Sequence, residues 1–130
     1  MPVEDPDLQA AAARYALTLQ EIAGSPPILD LVHLGLGPDG HTASLLPGEP
    51  VLDERTHWVA TVSHGRPEIR ITMTYPAIES SRYVAFLLAG KEKAEIFKTI
   101  RAGNSALPAA RVHPVGELIW FADKAAAGAG

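Results

Sequence analysis

An acid and an imidazole stand two residues apart in a glycine-rich turn, Gly37-Pro38-Asp39-Gly40-His41-Thr42-Ala43, with Ser44 following. A neutral imidazole can take a proton from water near pH 7, and a carboxylate on its second ring nitrogen fixes the tautomer that does so. The residue types therefore suit a general base, His41, supported by Asp39. The plainer alternative makes Asp39 a turn former and His41 a surface side chain. The context favours chemistry, because the apolar run Ile28 to Leu36 leads straight into the turn. Such a run reads as a strand covered on both faces. A tight glycine turn at a strand's carboxyl end is where open parallel sheets hold ligands. Thr42 to Leu46 is expected to make a helical turn or two. Its first N–H groups would favour anions and keep a histidine neutral.

Other charged residues are placed to assist. Arg70 begins a strand, and Lys93 lies in the first turn of a helix after Gly90. Cations from separate elements can converge on a phosphate. Lys91 competes with Lys93, and a solvated surface position is the ordinary fate of all three. Ser44 lacks the G-x-S-x-G setting of a nucleophile and is expected to pack or hydrogen-bond within the turn. His33 reads as a core or ligand-lining residue. His57, His64 and His113 fall in loops, and no H-E-x-x-H spacing signals a metal. Gly35 to Gly40 formally matches G-x-G-x-x-G. Pro47, Gly48 and Pro50 interrupt the helix a dinucleotide site needs, and Asp53 and Glu54 arrive too early. Asp53-Glu54-Arg55 reads as an exposed loop.

These residues need a scaffold. Asp5-Pro6-Asp7 opens a helix, with Asp5 as cap and Pro6 in the first position. Leu8, Ala11, Ala12, Tyr15, Leu19 and Ile22 follow at helical spacing, and Gly24 with Pro26-Pro27 ends it. Val51 to Arg55 is expected as loop, Trp58 to Val62 as a short strand, His64 to Pro67 as a turn, and Arg70 to Thr74 as a strand. A helical turn starts near Pro76. Tyr83 to Leu88 is a buried strand that Gly90 ends. Lys91 to Ala102 is an amphipathic helix with Ala94, Phe97 and Ile100 on one face and Gly103 as its cap. Leu107 to Val112 is loop or a short helix, and Leu118 to Phe121 is the last strand. Asp123 caps a brief terminal helix before a frayed tail, 128–130. Strands alternating with helical segments predict an α/β class: one Rossmann-like layered domain over residues 1–127, with a mainly parallel sheet flanked by helices.

Composition narrows the function. A chain of 130 residues suits one domain, and 47% apolar with 20% charged residues is globular rather than disordered. The net charge of −4 argues against a nucleic-acid or anionic-membrane surface. It leaves room for a small anionic substrate held by local cations. The absence of cysteine excludes disulfides and thiol chemistry and fits a cytoplasmic protein. Met1 to Asp7 is acidic and proline-bearing, unlike a secretory leader. No apolar run reaches membrane-spanning length.

Three ordered motifs resemble the 6-phosphogluconolactonase family, within the glucosamine/galactosamine-6-phosphate isomerase superfamily. The family's G-x-G-x-D-G-H-T-A-S-L-F-P stands here as Gly35 to Pro47, with Leu46 for Phe. Its R-[IV]-T-[LM]-T is Arg70-Ile71-Thr72-Met73-Thr74, followed by the apolar strand and Gly90-Lys91-Glu92-Lys93. Its ending matches Leu107-Pro108-Ala109-Ala110 and Gly116 to Asp123. The resemblance implies hydrolysis of 6-phospho-D-glucono-1,5-lactone to 6-phosphogluconate in the pentose phosphate pathway, with no cofactor and no metal. It implies His41 as general base, Asp39 as its support, and Arg70 and Lys93 on the 6-phosphate. The turn with Gly37 and Gly40 would shape the sugar pocket.

Family members are longer. Their earlier half carries an S-G-G-S/T-T-P phosphate loop and a W-G-D-E-R segment, neither of which occurs here. The chain therefore resembles the C-terminal part of the family domain, as a truncation, an internal start or a gene fragment would. Two expectations follow: an incomplete phosphate site, and an exposed sheet edge that invites self-association or the missing half. A partner-dependent, non-catalytic fragment is thus one alternative. Glucosamine-6-phosphate deaminase is another, but that family continues G-x-D-G-H with I-A-F-N-E-P, and Thr42 to Pro47 speaks for the lactonase.

Overall fold

The computed structural model describes residues 7–62, 70–103 and 106–128. Helix α1 (Leu8–Ala23) starts where the Asp7 carboxylate accepts the Ala10 N–H at 3.1 Å. That makes Asp7 the cap, and the expected cap pair Asp5-Pro6 lies outside the described residues. The helix ends at Gly24, whose φ of +94° a side chain would resist. Its buried residues Ala12 and Leu19 pack on Val59 and Ile71. These belong to an antiparallel pair, β2 (Val59–Val62) and β3 (Arg70–Met73), with Val59 opposite Met73 and Val62 opposite Arg70. The turn expected at His64 to Pro67 lies outside the described residues.

The main sheet is parallel: β1 (Leu31–Leu34), β4 (Tyr83–Leu88) and β5 (Glu117–Ala122), in the order β1-β4-β5. Leu31 is level with Tyr83 and Tyr83 with Glu117. Val32, Leu34, Val84, Phe86 and Leu88 share one face, following the two-residue strand period. That face packs on Leu45, Val51 and Leu52, on Ile78 of α2 (Tyr75–Glu79) and on Phe97 of α3 (Ala94–Arg101). Phe86 is fully buried and stacks on Trp120, ring centroids 4.0 Å apart and 8° from parallel.

Several sequence expectations need correction. The Ile28 to Leu36 run is not covered on both faces. Burial alternates along β1, and Leu31, Tyr83, Leu87 and Phe121 are each about half exposed on the second face. The cause is that α1 covers β2 and β3 instead of the parallel sheet. His33 lies on that open face and is exposed, so it is not a core residue. Pro50–Asp53 forms a 3₁₀ turn rather than a loop, because Pro50 presets the first φ and Val51 and Leu52 enter the core. The helix expected from Lys91 opens with a 3₁₀ turn, Lys91–Lys93. Residues 107–112 hold another, Pro108–Arg111. Asp123 accepts the Ala126 N–H at 2.8 Å as a cap would, yet residues 124–128 stay as turns. No helix among the described residues is long and apolar enough to cross a membrane.

Phe86 sits on the central strand, sandwiched by Trp120, so its removal leaves a cavity the sheet cannot close. Phe86→Ala is expected to lower unfolding free energy by about 3–5 kcal/mol, read by urea denaturation. A loss under about 1 kcal/mol would show that the core is not organised around this ring.

Candidate functional site

The three parallel strands end on one side, and the candidate residues come from those ends. β1 runs into Gly35 and the turn to His41. β4 runs into Gly90, whose φ of +98° turns the chain toward Lys93. β5 runs into Asp123, whose carboxylate accepts the Gly90 N–H at 3.2 and 3.3 Å. Lys93 then reaches back across the strand ends, and its Nζ donates to the Leu36 carbonyl at 2.5 Å. Lys93 and the turn, distant in sequence, are thereby joined. Lys91 is exposed at the start of its 3₁₀ turn and makes no such bond.

Asp39 and His41 converge as their spacing allowed. The Asp39 Oδ1 takes both the His41 backbone N–H at 3.1 Å and the ring Nδ1 at 2.5 Å. Burial alone would raise the Asp39 pKa, but the ring hydrogen bond, the backbone hydrogen bond and the His41 charge together hold it below its ordinary value. With Nδ1 occupied, the imidazole has Nε2 left for outside chemistry, and the ring is partly exposed. Gly37 makes this possible. A Cβ there would fall 2.1 Å from His41 Cε1 and 2.2 Å from Nδ1. Gly40 has a φ of +86° and lies against Leu107, where a Cβ would come within 2.9 Å of Cδ2. Both glycines thus make room for protein side chains.

The helix expected after the turn does not form. Thr42 to Leu45 closes instead as a tight turn, with the Leu45 N–H donating to the Thr42 carbonyl at 2.8 Å and Ala43 at φ +52°. A non-glycine residue in that region is strained, and such strain gathers at functional sites. Two of the turn's own N–H groups are also engaged: Gly37 with the His41 carbonyl at 2.9 Å, Gly40 with the Gly37 carbonyl at 3.0 Å. No helix N-terminus therefore supplies anion donors here. Ser44 is buried, and its N–H donates to Thr72 Oγ1 on β3 at 3.2 Å rather than within the turn. Arg70 lies two residues before Thr72 on the same strand. Among the described residues Thr42 Oγ1 is buried without a hydrogen-bond partner.

Sequence reasoning missed the supports. The Ala109 N–H donates to the Gly40 carbonyl at 2.9 Å, and the Tyr75 hydroxyl donates to the Pro108 carbonyl at 2.6 Å. The Leu-Pro-Ala-Ala string was visible, but nothing local says it seats against a turn far upstream. Among the described residues no group of three or more His, Asp or Glu side chains is placed to hold a metal.

Comparisons with known proteins bear on the family and the fold. A profile described as glucosamine-6-phosphate isomerases/6-phosphogluconolactonase matches residues 1–120. The chain is 44% identical over 133 residues to 6-phosphogluconolactonase of Rattus norvegicus, covering 98% of this chain and 50% of the relative. It is 42% identical over 134 residues to the Homo sapiens enzyme, with the same coverage. A chloroplastic 6-phosphogluconolactonase of Arabidopsis thaliana is 42% identical over 113 residues, covering 85% and 34%. Among solved structures, the devB protein superposes with a TM-score of 0.86 at 30% identity, over 95% of this chain and 55% of that one. The Trypanosoma brucei 6-phosphogluconolactonase gives 0.74 at 26%, over 98% and 56%. A monomeric glucosamine-6-phosphate deaminase gives 0.75 at 26%, over 98% and 57%. The chain spans about half the length of the curated relatives it matches. By the match over residues 1–120, it belongs to the glucosamine-6-phosphate isomerase/6-phosphogluconolactonase family.

Proposed function

We propose that the chain carries the hydrolytic turn of a 6-phosphogluconolactonase and opens 6-phospho-D-glucono-1,5-lactone with water to 6-phosphogluconate. The observation that carries this reading is the His41 Nδ1 contact on Asp39 at 2.5 Å, at the carboxyl end of a parallel strand. With Nδ1–H given to Asp39, Nε2 holds the lone pair. It takes a proton from water as the water oxygen bonds to the lactone carbonyl carbon. The tetrahedral intermediate then breaks its bond to the ring oxygen, and His41 returns the proton to that oxygen. The sum is one water added across one ester bond, with no cofactor needed. Asp39 offsets the charge the imidazole carries between the two transfers. Lys93 keeps two ammonium protons beyond the one on Leu36, and these suit the substrate's phosphate. Arg70 adds a second cation from β3, and Gly37 and Gly40 keep the turn tight beside the sugar. The acidic, cysteine-free composition supports a cytoplasmic setting.

The deaminase likeness supports a second reading of the same turn, because its solved structure superposes about as well as a lactonase does. Thr42 to Pro47 and the 42–44% lactonase identities favour the first. Ammonia release from glucosamine 6-phosphate separates the two. A partner reading rests on the open sheet face, where Leu31, Tyr83, Leu87 and Phe121 are exposed. All-parallel sheets are covered on both faces. The remaining half of a family-length chain fits that face, and in its absence a second copy takes it.

Three outcomes test these readings. On freshly made lactone, with spontaneous hydrolysis subtracted, His41→Ala is expected to lose about 10²–10⁴-fold in rate. A fully active variant removes His41 as base. A folded chain with no rate above background moves the reading to a fragment that needs its other half supplied in trans.

The second concerns pH. Asp39's folded pKa lies below its unfolded 3.8, so the unfolded chain binds more protons between the two values and stability rises with pH there. The Tm difference between the chain and Asp39→Asn is expected in full above pH 3.8 and to vanish as pH falls through the folded pKa. A difference that grows on acidification contradicts the pairing.

In the third, sedimentation velocity is expected to show concentration-dependent association that Leu87→Lys weakens. A clean monomer across a wide range counts against an adhesive face.

A further inference from the structure

Two arginines meet on a single carbonyl at the other end of the turn that holds Gly40. Arg55 Nη1 donates to the Leu52 carbonyl at 3.1 Å and to the Glu54 carbonyl at 3.1 Å. Arg111 Nη2 donates to the same Leu52 oxygen at 3.4 Å. Arg111 also lies over the Tyr75 ring, 5.2 Å from its centroid, which fixes the plane of its guanidinium. Arg55, Arg111, Tyr75, Glu79 and His113 line a pocket of about 320 Å³. None of Asp39, His41 or Lys93 lines it.

The arrangement is unbalanced. Each guanidinium offers five N–H donors. The contacts above use one nitrogen of each, so Nε and the second Nη of both arginines have no protein acceptor among the described residues. Neither guanidinium forms an ion pair with a carboxylate there. Satisfying one carbonyl needs one donor, and bringing a second cation to it costs repulsion that a bound anion would remove. The single acid in the pocket answers this poorly. Burial pushes the Glu79 carboxyl above its ordinary value, against the pull of the His113 backbone N–H and of the His113, Arg55 and Arg111 charges. The volume suits a phosphate with a few further atoms, and the Tyr75 ring and Pro76 give those atoms an apolar wall.

We propose that this pocket binds the phosphate group of a small phosphomonoester, apart from the catalytic turn, with Arg55 and Arg111 as a paired fork and His113 as a further donor. The ligand approaches the Arg111 end of the 108–111 turn, while Ala109 in the same turn holds Gly40.

The test is a titration of the isotope-labelled chain with inorganic phosphate and, separately, with glycerol 3-phosphate at constant ionic strength, following the arginine Nε–H signals. Saturable shifts at Arg55 and Arg111 are expected with both probes, at lower concentration for the ester. Arg111→Leu and Arg55→Gln should each weaken binding about tenfold. Glu79→Gln should strengthen it by removing a negative charge from the pocket. His41→Ala should leave these shifts unchanged. If Arg111→Leu fails to fold, the exposed Arg55→Gln and Glu79→Gln carry the test. Shifts that grow linearly without saturation overturn the proposal. So do saturation confined to residues 37–41 and Lys93, unchanged affinity in Arg55→Gln, and binding of inorganic phosphate with exclusion of the ester.

Discussion

The His41 imidazole rests directly on the Gly37 α-carbon, and the geometry of the site follows from that approach. A side chain at position 37 would occupy the ring's own volume. The ring is pressed from one side by the glycine and held from another by Asp39 Oδ1, which also binds the His41 backbone N–H. Imidazole orientation and backbone turn are thus fixed by one carboxylate. Gly40 repeats the logic one step on, clearing space for Leu107 so that the 108–111 turn can seat against the catalytic one. The glycines of this motif are read most directly as clearance for neighbours, with positive φ an added requirement at Gly40.

That rigidity has an electrostatic consequence. The turn spends the N–H groups of Gly37, Gly40 and His41 on itself, and no helix follows to supply a helix N-terminus. Formal positive charge arrives from another strand end. Lys93 brings it, and its placement depends on Gly90 turning the chain and on Asp123 holding Gly90. The site therefore draws on all three parallel strands, which is why it lies at their carboxyl ends. The His41 imidazole after β1 and the Lys93 ammonium after β4 keep their separation only while the β1–β4 register holds.

The sequence made some of this legible and hid the rest for identifiable reasons. The strand entering Gly35, the buried strand Tyr83 to Leu88 and the pairing of Asp39 with His41 follow from local pattern and turn chemistry. The resemblance names Lys93, with Lys91 competing, and the fold adds what no local pattern shows, that Lys93 points back to Leu36. The helix expected at Thr42 fails because Ala43 adopts φ +52° and Thr72 on β3 captures the Ser44 N–H. No local signal announces that partner. The apolar run at β1 reads as doubly buried because hydrophobicity reports what a strand is built for, not what lies against it. Leu31 and His33 stand open since α1 is committed to β2 and β3. The meeting of Arg55 and Arg111 on the Leu52 carbonyl was equally unreadable, since each arginine alone looks like an ordinary surface charge.

The open sheet face and the catalytic turn are linked through β1. This strand is four residues long, lies at the sheet edge and hydrogen-bonds only to β4 among the described residues. At its start it is tied by the Arg82 N–H on the Leu29 carbonyl at 2.9 Å and by the exposed Arg82–Asp30 pair at 3.5 Å, which contributes little. At its other end it carries Asp39 and His41. Local opening of such a strand costs less than global unfolding, and every opening displaces the Asp39–His41 turn. Whatever covers Leu31, Tyr83, Leu87 and Phe121 therefore acts on the Asp39–His41 turn, and so on the proposed hydrolysis, without touching either residue. It buries apolar surface against β1, raises the free energy of opening and increases the fraction of time in which the Asp39–His41 pair is assembled. In the proposed hydrolysis, loss of such cover and loss of phosphate contacts would lower activity by separate routes, the first through kcat and the second through KM.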